Sequence, residues 1–418
     1  MDASANKYFR KLKSTKPIQL IQIVFVNPMK IAISAPTDIH TLARFCGTST
    51  EGVAPGLGST ATTPLIAELL KRGHSVTVFT LSSGLQEEQE YNWGRLRVLV
   101  GSSRVQHIAR DYYSQEIAYL RRVIHHAAPD FVHAHWTYEF ALGALRTGIP
   151  TITTIHDLPW NVLRYFRDPR RAVRLAMAYE VALRGKHFTA VSNDAARHFQ
   201  QYFNPQAKIT VIPNGLQDAI FEIEAEPCQK RSGEIVFATI LQGWSRRKNA
   251  TAALRAFKIV RNEIPDAQLQ MYGADYEWNG KAHQWAAQRS LDAGVSFIGA
   301  LQYGELLKRV KNEVDIIVHP SRDESFCMTA AEGMALKKVV IAGEVTPGVR
   351  EVLGFGDSGL LTDVTNSHKL AQAMTRVAGD SKYRDGTVQR AFTRAWSLYR
   401  MAEMMGKYEN LYSRMSPN

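Results

Sequence analysis

Residues 316–335 read IIVHPSRDESFCMTAAEGMA and pass from an apolar run through a polar turn into a helical pattern. The run Ile316–His319 is short and rich in β-branched residues, which is typical of a strand buried on both faces. The small and apolar residues from Met328 predict a helix directly after the turn. A buried strand followed at once by a helix is the unit from which parallel sheets are built.

The same alternation of strand and helix extends over most of the chain, in two sets. The first set occupies residues 29–215 and the second occupies residues 235–390, while the polar and acidic residues 216–234 read as a linker. A last amphipathic pattern in residues 391–418 predicts one helix over about 392–412. The sequence therefore predicts an α/β fold of two doubly wound, Rossmann-like domains that face each other across a cleft. The predicted strands are Ile31–Ala35, Ser75–Thr80, Arg97–Val100, Phe131–Ala134, Thr151–Ile155, His187–Val191, Ile209–Ile212, Ile235–Ile240, Gln268–Tyr272, Val295–Ile298, Ile316–His319, Val339–Ala342 and Gly359–Leu361.

Composition narrows the class of protein. The 418 residues are 22% charged and 45% hydrophobic, values that exclude a mostly disordered chain and a polytopic membrane protein. The formal net charge of +12 indicates an anionic partner: nucleic acid, a phosphate-bearing substrate or an acidic membrane surface. The three cysteines are far apart and fit neither a disulfide framework nor zinc spacing, which favours a reducing compartment.

Residues 1–28 differ from the rest of the chain. Basic residues precede the apolar run Ile18–Val26, which resembles a crude signal peptide or membrane anchor. The run is far shorter than the ~20 residues that span a bilayer. We expect instead a disordered extension that belongs to neither domain, because Met29–Ser34 already reads as a first strand. No later stretch is apolar enough to cross a membrane, so we expect a cytoplasmic protein.

Charged residues follow two strands of the second set. Arg246, Arg247 and Lys248 follow Ile235–Ile240 and open a predicted helix, where three cations make sense if an anion is shared with the helix amides. A solvated charge run is the alternative. Glu332 lies in an otherwise apolar helix, so its carboxylate needs a partner, and ribose hydroxyls would serve. Glu324 lies in the turn near the start of that helix.

Two features of the first set are ambiguous. Gly56 and Gly58 lie in a G-x-G-x-x-A stretch, but some twenty residues separate it from the first strand, which argues against a dinucleotide site. The loop either presents bare amides to a phosphate or is flexible without a ligand. His156 ends the strand Thr151–Ile155, where it either bonds a ligand in the cleft or packs structurally. His133 and His135 share one strand face, but no carboxylate or thiolate cluster accompanies them as a metal site would need.

Taken together, these motifs resemble the retaining glycosyltransferases of family 4 over nearly all of residues 29–415. The resemblance rests on the E-x7-E spacing of Glu324 and Glu332 with its flanking P-S and E-G-M-A. Weaker motifs in the same order support it: the Gly56 loop, Arg72-Gly73-His74, His156-Asp157, Val191-Ser192, Ile212–Gly215, Lys248-Asn249, Phe297–Gly299 and Gly359–Leu361.

The resemblance implies the GT-B fold, with the C-terminal helix crossing back onto the first domain. It implies that Glu332 binds the ribose of a nucleotide diphosphate sugar, that Lys248 neutralises the diphosphate, and that Glu324 contacts the sugar near the reacting carbon. His156 would touch the sugar or the transition state, and Gly56 and Gly58 would approach donor or acceptor. It also implies donor contacts from Arg246, Arg247, Ser325, Phe326, Cys327 and Met328.

The chain departs from the family pattern at three places. The arginine usual five residues before the lysine is Gly243 here, so Arg246 or Arg247 would supply the second charge. Ser325 and Cys327 replace two usual glycines, which leaves less room near the sugar. After Asn214-Gly215 the expected aspartate comes one residue late, as Asp218.

The function expected from this resemblance is a retaining hexosyltransferase. Its acceptor would be a saccharide or a lipid-linked sugar, in the synthesis of a cell-surface polysaccharide, lipopolysaccharide or glycolipid. No Asp-x-Asp pair occurs in the chain, which fits transfer without a metal or other cofactor. A GT-B sugar-nucleotide epimerase is one alternative. A basic nucleic-acid-binding protein is another, but no helix-turn-helix, zinc or aromatic RNA motif supports it, and we expect no nucleic-acid partner.

Residues 161–187 bear on the acceptor. They carry seven basic residues against Asp168 and Glu180, interleaved with apolar ones. Basic and apolar residues together suit the surface of an anionic membrane, so we expect a peripheral position on its inner face. An ordinary surface helix with a core-facing stripe is the alternative.

Overall fold

The computed structural model describes residues 28–226 and 234–415. The expected extension 1–28 therefore lies outside the described residues except for Pro28. The expected linker 216–234 is described only over residues 216–226 and at Glu234.

The first half of the described chain forms one sheet with strand order β3-β4-β2-β1-β5-β6-β7-β8. Its pairings are parallel except for β3, which is antiparallel to β4. The central strands are buried on both faces because helices cover the sheet from both sides. The strands are β1 Lys30–Ser34, β2 Ser75–Ser83, β3 Gln89–Trp93, β4 Leu96–Ser103, β5 Val132–His135, β6 Thr151–Ile155, β7 His187–Ala190 and β8 Ile209–Val211.

Seven helices connect these strands in the described chain. Several of them have a typical N-cap residue. The side chains of Asp168 and Ser192 accept hydrogen bonds from the backbone amides three residues later and so cap the N-termini of α6 and α7. The helices are α1 Ile39–Phe45, α2 Thr62–Lys71, α3 Ser114–Ala127, α4 Glu139–Leu145, α5 Pro159–Tyr165, α6 Pro169–Arg184 and α7 Asn193–Tyr202.

The second half forms a sheet with order β11-β10-β9-β12-β13-β14, whose pairings are all parallel. The strands are β9 Val236–Ile240, β10 Gln268–Tyr272, β11 Val295–Gly299, β12 Ile316–His319, β13 Val339–Gly343 and β14 Leu360–Thr362. The helices are α8 Ala250–Glu263, α9 Lys281–Ala287, α10 Tyr303–Glu313, α11 Met328–Ala335, α12 Val349–Val352, α13 Ser367–Gly379, α14 Ser381–Leu398 and α15 Met401–Ser413.

Each sheet has a point where the strand order reverses, and that point positions the site. In the first sheet the reversal lies beside β1, between β2 and β5, and in the second it lies beside β9, between β10 and β12. Ligands of open parallel sheets bind outside the carboxyl ends of the strands at such a point. The loops that come after β1, β5, β9 and β12 therefore border the expected binding site, and the loop after β6 is next to the one after β5.

The C-terminal segment confirms the expected return to the first domain but corrects its form. The expected single helix over 392–412 is two helices, α14 and α15, that meet at Tyr399 and Arg400. The break occurs because Leu216 bonds to both sides of it: its amide donates to the Tyr399 carbonyl at 2.6 Å and its carbonyl accepts from Met401 at 2.8 Å. Helix α14 packs on the second domain, and α15 packs in the core of the first, against α2.

The strand β3 was absent from the sequence prediction. Its residues QEYNW alternate between half-buried and exposed positions and include no apolar run. It is an edge strand in a hairpin with β4, so pairing with its neighbour rather than burial stabilises it.

In the described residues no helix is long and apolar enough to cross a membrane.

Candidate active site

Two loops of the second domain meet at its reversal point. The loop after β9 carries Arg246–Lys248, and the loop after β12 carries Asp323 and Glu324. The Arg322 amide donates to the Arg247 carbonyl at 2.9 Å. The Asn249 side chain donates to the carbonyls of Pro320, at 3.1 Å, and Val364, at 2.8 Å, so it ties the two loops together. The structure thus joins charged residues that are some 76 positions apart in the chain.

Glu324 lies at the centre of this group. Lys248 Nζ donates to Glu324 Oε1 at 2.7 Å, and His319 Nε2 lies 3.2 Å from the same oxygen. Burial opposes ionisation of Glu324, but Lys248, His319 and Arg247 together hold its pKa well below the usual range. The carboxylate is therefore ionised and surrounded by cationic or hydrogen-bonding groups before any ligand arrives.

Arg247 and Arg246, which the sequence did not distinguish, have different surroundings. Arg247 is largely buried, with Nε 3.2 Å from Asp323 Oδ2 and Nη2 4.0 Å from Glu324 Oε2. Arg246 is exposed. Burial raises the pKa of Tyr165, and the positive charges of Arg322, Arg164 and Arg246 partly offset that rise. Arg247 is thus committed to carboxylates, whereas Arg246 remains available to the cleft.

The start of α11 presents the backbone of the remaining predicted donor residues. Phe326 and Cys327 are buried, while Ser325 and Met328 are half-buried. Cys327 precedes the helix with φ of 85°, a left-handed conformation that favours glycine. This explains why a glycine is usual at that position and means that the cysteine holds a strained backbone there.

Glu332 projects from α11 and pairs with a residue that the sequence did not indicate. Tyr303 Oη donates to Glu332 Oε1 at 2.6 Å. Burial raises the pKa of Glu332, and this hydrogen bond partly offsets the rise. The second carboxylate oxygen makes no hydrogen bond within the described chain, so it can accept one from a ligand hydroxyl.

His156 comes directly after β6 in the first domain and is stacked on an aromatic ring. The ring of Trp136 lies 4.3 Å from it, centroid to centroid, with planes 27° apart. His156 Nε2 lies 2.9 Å from Nδ1 of His135, which ends β5. Burial lowers the pKa of His156 to about 3, so the ring is neutral near pH 7. His135, like Tyr303 and His319, was not among the predicted site residues.

Asp157 connects His156 to the charged group of the second domain. Burial raises the pKa of Asp157, while the charges of Arg247 and Arg174 lower it. Tyr138 shares a side-chain hydrogen bond with Asp157. The two domains therefore face each other here with their ionisable groups in electrostatic contact.

The glycine loop is less closely connected to this group. Gly56 has φ of 78°, and a Cβ there would lie 2.1 Å from the Thr37 carbonyl oxygen, so only glycine fits. Gly58 has φ of 70° with open space around it. In the described residues the Gly56 and Gly58 amides bond to Ser82 and Thr37, at 3.2 and 3.3 Å, rather than to the Glu324 group.

Direct contacts hold the domains together around the site. Asn161 Nδ2 donates to Asp323 Oδ1 at 2.7 Å, and Ser192 Oγ donates to the Ser325 carbonyl at 2.6 Å. Asp194 at the start of α7 accepts from the Gly348 amide at 2.8 Å, and Arg350 and Arg197 help to lower its pKa to about 2 against the effect of burial. These contacts bring α5 and α7 of the first domain against the loops that carry the charged residues.

The basic stretch 161–187 divides into structural and free arginines. Arg171, Arg174 and Arg184 pair with acidic residues, and Leu175 and Met177 face the core. Arg164 and Arg167 are exposed and make no ion pair within the described residues. They line a cavity of about 730 Å³ together with Trp160, Asn161, Leu163, Asp168, Ala172 and Tyr202.

The His133 and His135 pair is not part of a metal cluster. Over the described ranges there is no group of three or more His, Cys, Asp or Glu side chains that could hold a metal ion. His133 instead has hydrogen bonds at both ring nitrogens, to Tyr412 and Thr154, each at 2.7 Å.

Comparison with known proteins places both halves of the chain. Residues 59–219 match Glycosyltransferase Family 4, and residues 228–394 match Glycosyl transferases group 1. A D-inositol 3-phosphate glycosyltransferase of Thermomonospora curvata is 34% identical over 295 residues, which are 64% of this chain and 68% of that protein. An uncharacterised glycosyltransferase of Methanocaldococcus jannaschii is 22% identical over 339 residues, 76% of this chain and 85% of that protein.

Solved structures share the architecture at low identity. The sucrose-phosphate synthase of Thermosynechococcus elongatus superposes with a TM-score of 0.71 at 15% identity, over 93% of this chain and 99% of that one. Anabaena HepE, solved with UDP and glucose, superposes with a TM-score of 0.65 at 16% identity, over 92% of this chain and 100% of that one. These likenesses confirm the GT-B fold of two Rossmann-like domains.

Proposed function

The chain belongs to the group 1 glycosyltransferases with a Family 4 N-terminal domain, and from that premise we propose that it transfers a sugar from a nucleotide diphosphate sugar with retention of configuration. The observation that carries the proposal is the Lys248–Glu324 pair at the reversal point of the second sheet, beside the α11 amides. Fixed positive charge and backbone donors at such a point suit the diphosphate that leaves.

Each part of the donor has a corresponding group in the site. Glu332, already oriented by Tyr303, would accept from the ribose hydroxyls. Lys248, with the exposed Arg246, would neutralise the diphosphate. We propose UDP as the first nucleotide to test, because HepE was solved with UDP and with UDP-glucose.

The sugar would lie between the domains. Glu324 is ionised in the free protein, so its negative charge would stabilise positive charge that develops at the anomeric carbon. From the first domain we assign His156 to the sugar, because its neutral imidazole can exchange a hydrogen bond with a sugar hydroxyl. Arg247 keeps Asp323 and Asp157 from repelling the diphosphate, since it neutralises part of their charge.

The proposed reaction needs no metal ion. The cations of the loop after β9 supply the positive charge that a metal would otherwise provide at the diphosphate. Arg247 is occupied by Asp323, so we assign the neutralising charges to Arg246 and to Lys248, whose ammonium group would be shared between Glu324 and the diphosphate. An enzyme treated with a chelator should therefore keep its activity.

The acceptor is proposed to be a saccharide or a lipid-linked sugar at an anionic membrane surface, on the cytoplasmic side. The support is the cavity near α5, where free Arg164 and Arg167 lie among apolar residues. Leu183, on α6, is 85% exposed, and Trp160 and Tyr179 are also exposed. Basic and aromatic side chains in one surface suit lipid headgroups. A role in polysaccharide, lipopolysaccharide or glycolipid synthesis follows from the same proposal.

The test is turnover of UDP-, GDP- and ADP-sugars, with release of nucleoside diphosphate measured in the presence of membrane lipid extract and of EDTA. We expect release with one nucleotide, dependent on the extract and insensitive to EDTA. Conversion of the sugar nucleotide into an epimer without release of the diphosphate would show an epimerase instead. No turnover of any of them would contradict the proposal, and loss in EDTA would contradict its metal independence.

A further inference from the structure

Three histidines form a buried row that leads away from the site. His133 and His135 lie on one face of β5, with ring centroids 4.1 Å apart, and His156 comes directly after the neighbouring strand β6. His156 Nε2 and His135 Nδ1 are 2.9 Å apart. His156, the outermost of the three, has the largest exposed fraction, 7%, against 2% for His135 and 0% for His133.

The hydrogen bonds of the row are unevenly distributed. Both ring nitrogens of His133 have partners, Tyr412 and Thr154. His135 Nε2 is buried without a partner among the described residues. Burial lowers the pKa of both His135 and His156, so each ring is neutral and carries a single N–H.

Two arrangements of the protons satisfy the short contact. In the first, His135 Nδ1–H donates to His156 Nε2, and the unpartnered His135 Nε2 is a bare lone pair. In the second, His156 Nε2–H donates to His135 Nδ1, and His135 Nε2 carries a buried N–H without an acceptor. Orphaned buried N–H groups are rare, because each loses the hydrogen bond that water supplies in the unfolded chain. The first arrangement avoids such a group.

We propose that His135 is a positioning residue, whose Nδ1–H donates to Nε2 of His156 and fixes His156 as the tautomer protonated on Nδ1. His156 Nδ1 makes no hydrogen bond within the described chain and is not among its fully buried polar atoms. His156 therefore offers the cleft an N–H donor rather than a basic lone pair. Trp136, stacked at 4.3 Å, holds the plane of the ring. The consequence for catalysis rests on the proposed function; the tautomer itself does not.

The consequence is a defined role for His156. A donor at this position can bond to a hydroxyl oxygen of the transferred sugar, or to an oxygen that gains negative charge in the transition state. It cannot take a proton from the acceptor through Nδ1. His156 would thus bind the sugar and stabilise the transition state. Another group, such as an oxygen of the departing diphosphate, would accept the proton of the acceptor.

Three variants separate positioning from mere packing. His135→Asn can place an amide N–H where Nδ1 lies, whereas His135→Phe fills the space without a donor. His133→Asn is the matched control, because it changes a buried histidine of the same row that bonds to Tyr412 and Thr154 and not to His156. We expect that, of these three variants, only His135→Phe allows His156 to adopt both tautomers.

The readout is ¹⁵N NMR of the histidine-labelled protein at neutral pH, with His156 assigned by its own substitution. In the wild type we expect the proton on Nδ1; a proton on Nε2 overturns the proposal even if no variant folds. In His135→Phe we expect both tautomers, and an unchanged spectrum would also overturn it. His135→Asn and His133→Asn should keep the Nδ1 proton, and loss of it in His135→Asn would count against a role for the donated N–H.

Steady-state kinetics supply the second readout. His135→Phe should lower kcat on the order of 10- to 100-fold while the KM for the nucleotide sugar changes less than about twofold. His135→Asn should recover most of that loss. If the wild type turns over no sugar nucleotide, the proposed function fails, while the NMR result still decides the tautomer.

Discussion

Lys248→Met removes the ammonium group that bonds to Glu324 at 2.7 Å, so it should destabilise the free protein and weaken its complex with a nucleotide. Glu324 retains His319 at 3.2 Å and Arg247 at 4.0 Å, so the free energy of unfolding should fall by about 1–3 kcal/mol, less than for a buried charge left alone. Methionine keeps the length of the side chain, which isolates the effect of the charge.

The larger effect is expected on the bound diphosphate. A hydrogen bond to a charged group is worth about 1.5–3 kcal/mol, which is roughly a 10- to 150-fold change in Kd. At a UDP concentration 100 times the wild-type Kd, the ligand stabilises the protein by about 2.7 kcal/mol. A tenfold weaker Kd leaves about 1.4 kcal/mol of this stabilisation, and a 100-fold weaker Kd leaves about 0.4 kcal/mol.

The assay is equilibrium unfolding in urea with and without nucleotide, for the wild type, Lys248→Met and a control. Lys71→Met is the control, because Lys71 is 62% exposed and pairs with Glu68 at 3.9 Å in the first domain. It should keep the full stabilisation by UDP. If Lys248→Met also keeps about 2.7 kcal/mol, Lys248 does not contact the diphosphate and the reasoning is refuted.

Cys327→Gly should raise the free energy of unfolding by about 1 kcal/mol, because relief of the backbone strain at φ 85° outweighs the lost burial of the thiol. The control Cys46→Gly changes a residue at φ −82° and should lower the free energy of unfolding. Equal losses for both variants in urea melts would contradict this. Burial lowers the pKa of His133 and His156 to about 3, that of His198 to about 4, and that of His135 well below its usual value. These four rings stay neutral in the folded state, so stability should be complete above pH 6.5 and fall below it. Between pH 7.5 and 5.5 each of the four contributes a loss of about 1.4 kcal/mol, roughly 5.5 in all, and His198→Phe should remove about a quarter of the fall. A flat pH profile in urea melts would contradict the assignment. The double variant Arg164→Ser/Arg167→Ser should bind phosphatidylglycerol vesicles roughly 30-fold more weakly in a sedimentation assay, at about 1 kcal/mol for each charge. The control Arg255→Ser/Arg289→Ser, which removes two other exposed arginines, should bind like the wild type. Equal binding of both double variants would exclude the proposed surface.

Most strands could be predicted from the sequence because they are buried on both faces. The run Ile316–His319 and the helix from Met328 appear in the structure where the sequence predicts them. The edge strand β3 was missed because its residues alternate and it is stabilised by pairing alone. The break at Tyr399 and Arg400 carries no proline or glycine signal, since it arises from Leu216 in the distant linker.

The candidate site shows the same division. The family resemblance implied Lys248, Glu324 and Glu332 as site residues, and the structure shows Lys248 and Glu324 in contact. Their partners were not predicted: Tyr303 lies 29 residues from Glu332 along the chain. A tyrosine at the start of a helix has no signal of its own until the fold brings it to a carboxylate. Similarly, the sequence left Arg246 and Arg247 equivalent, and only the position of Asp323 separates them.

The central claim is that a nucleoside diphosphate binds at the carboxyl ends of β9 and β12. The most direct measurement is a crystal structure with whichever of UDP, GDP or ADP stabilises the protein in solution. We predict the ribose hydroxyls within hydrogen-bond distance of Glu332 and the diphosphate beside Lys248 and the α11 amides. A nucleotide bound elsewhere, with Lys248 still paired to Glu324 and Glu332 only to Tyr303, would contradict the account.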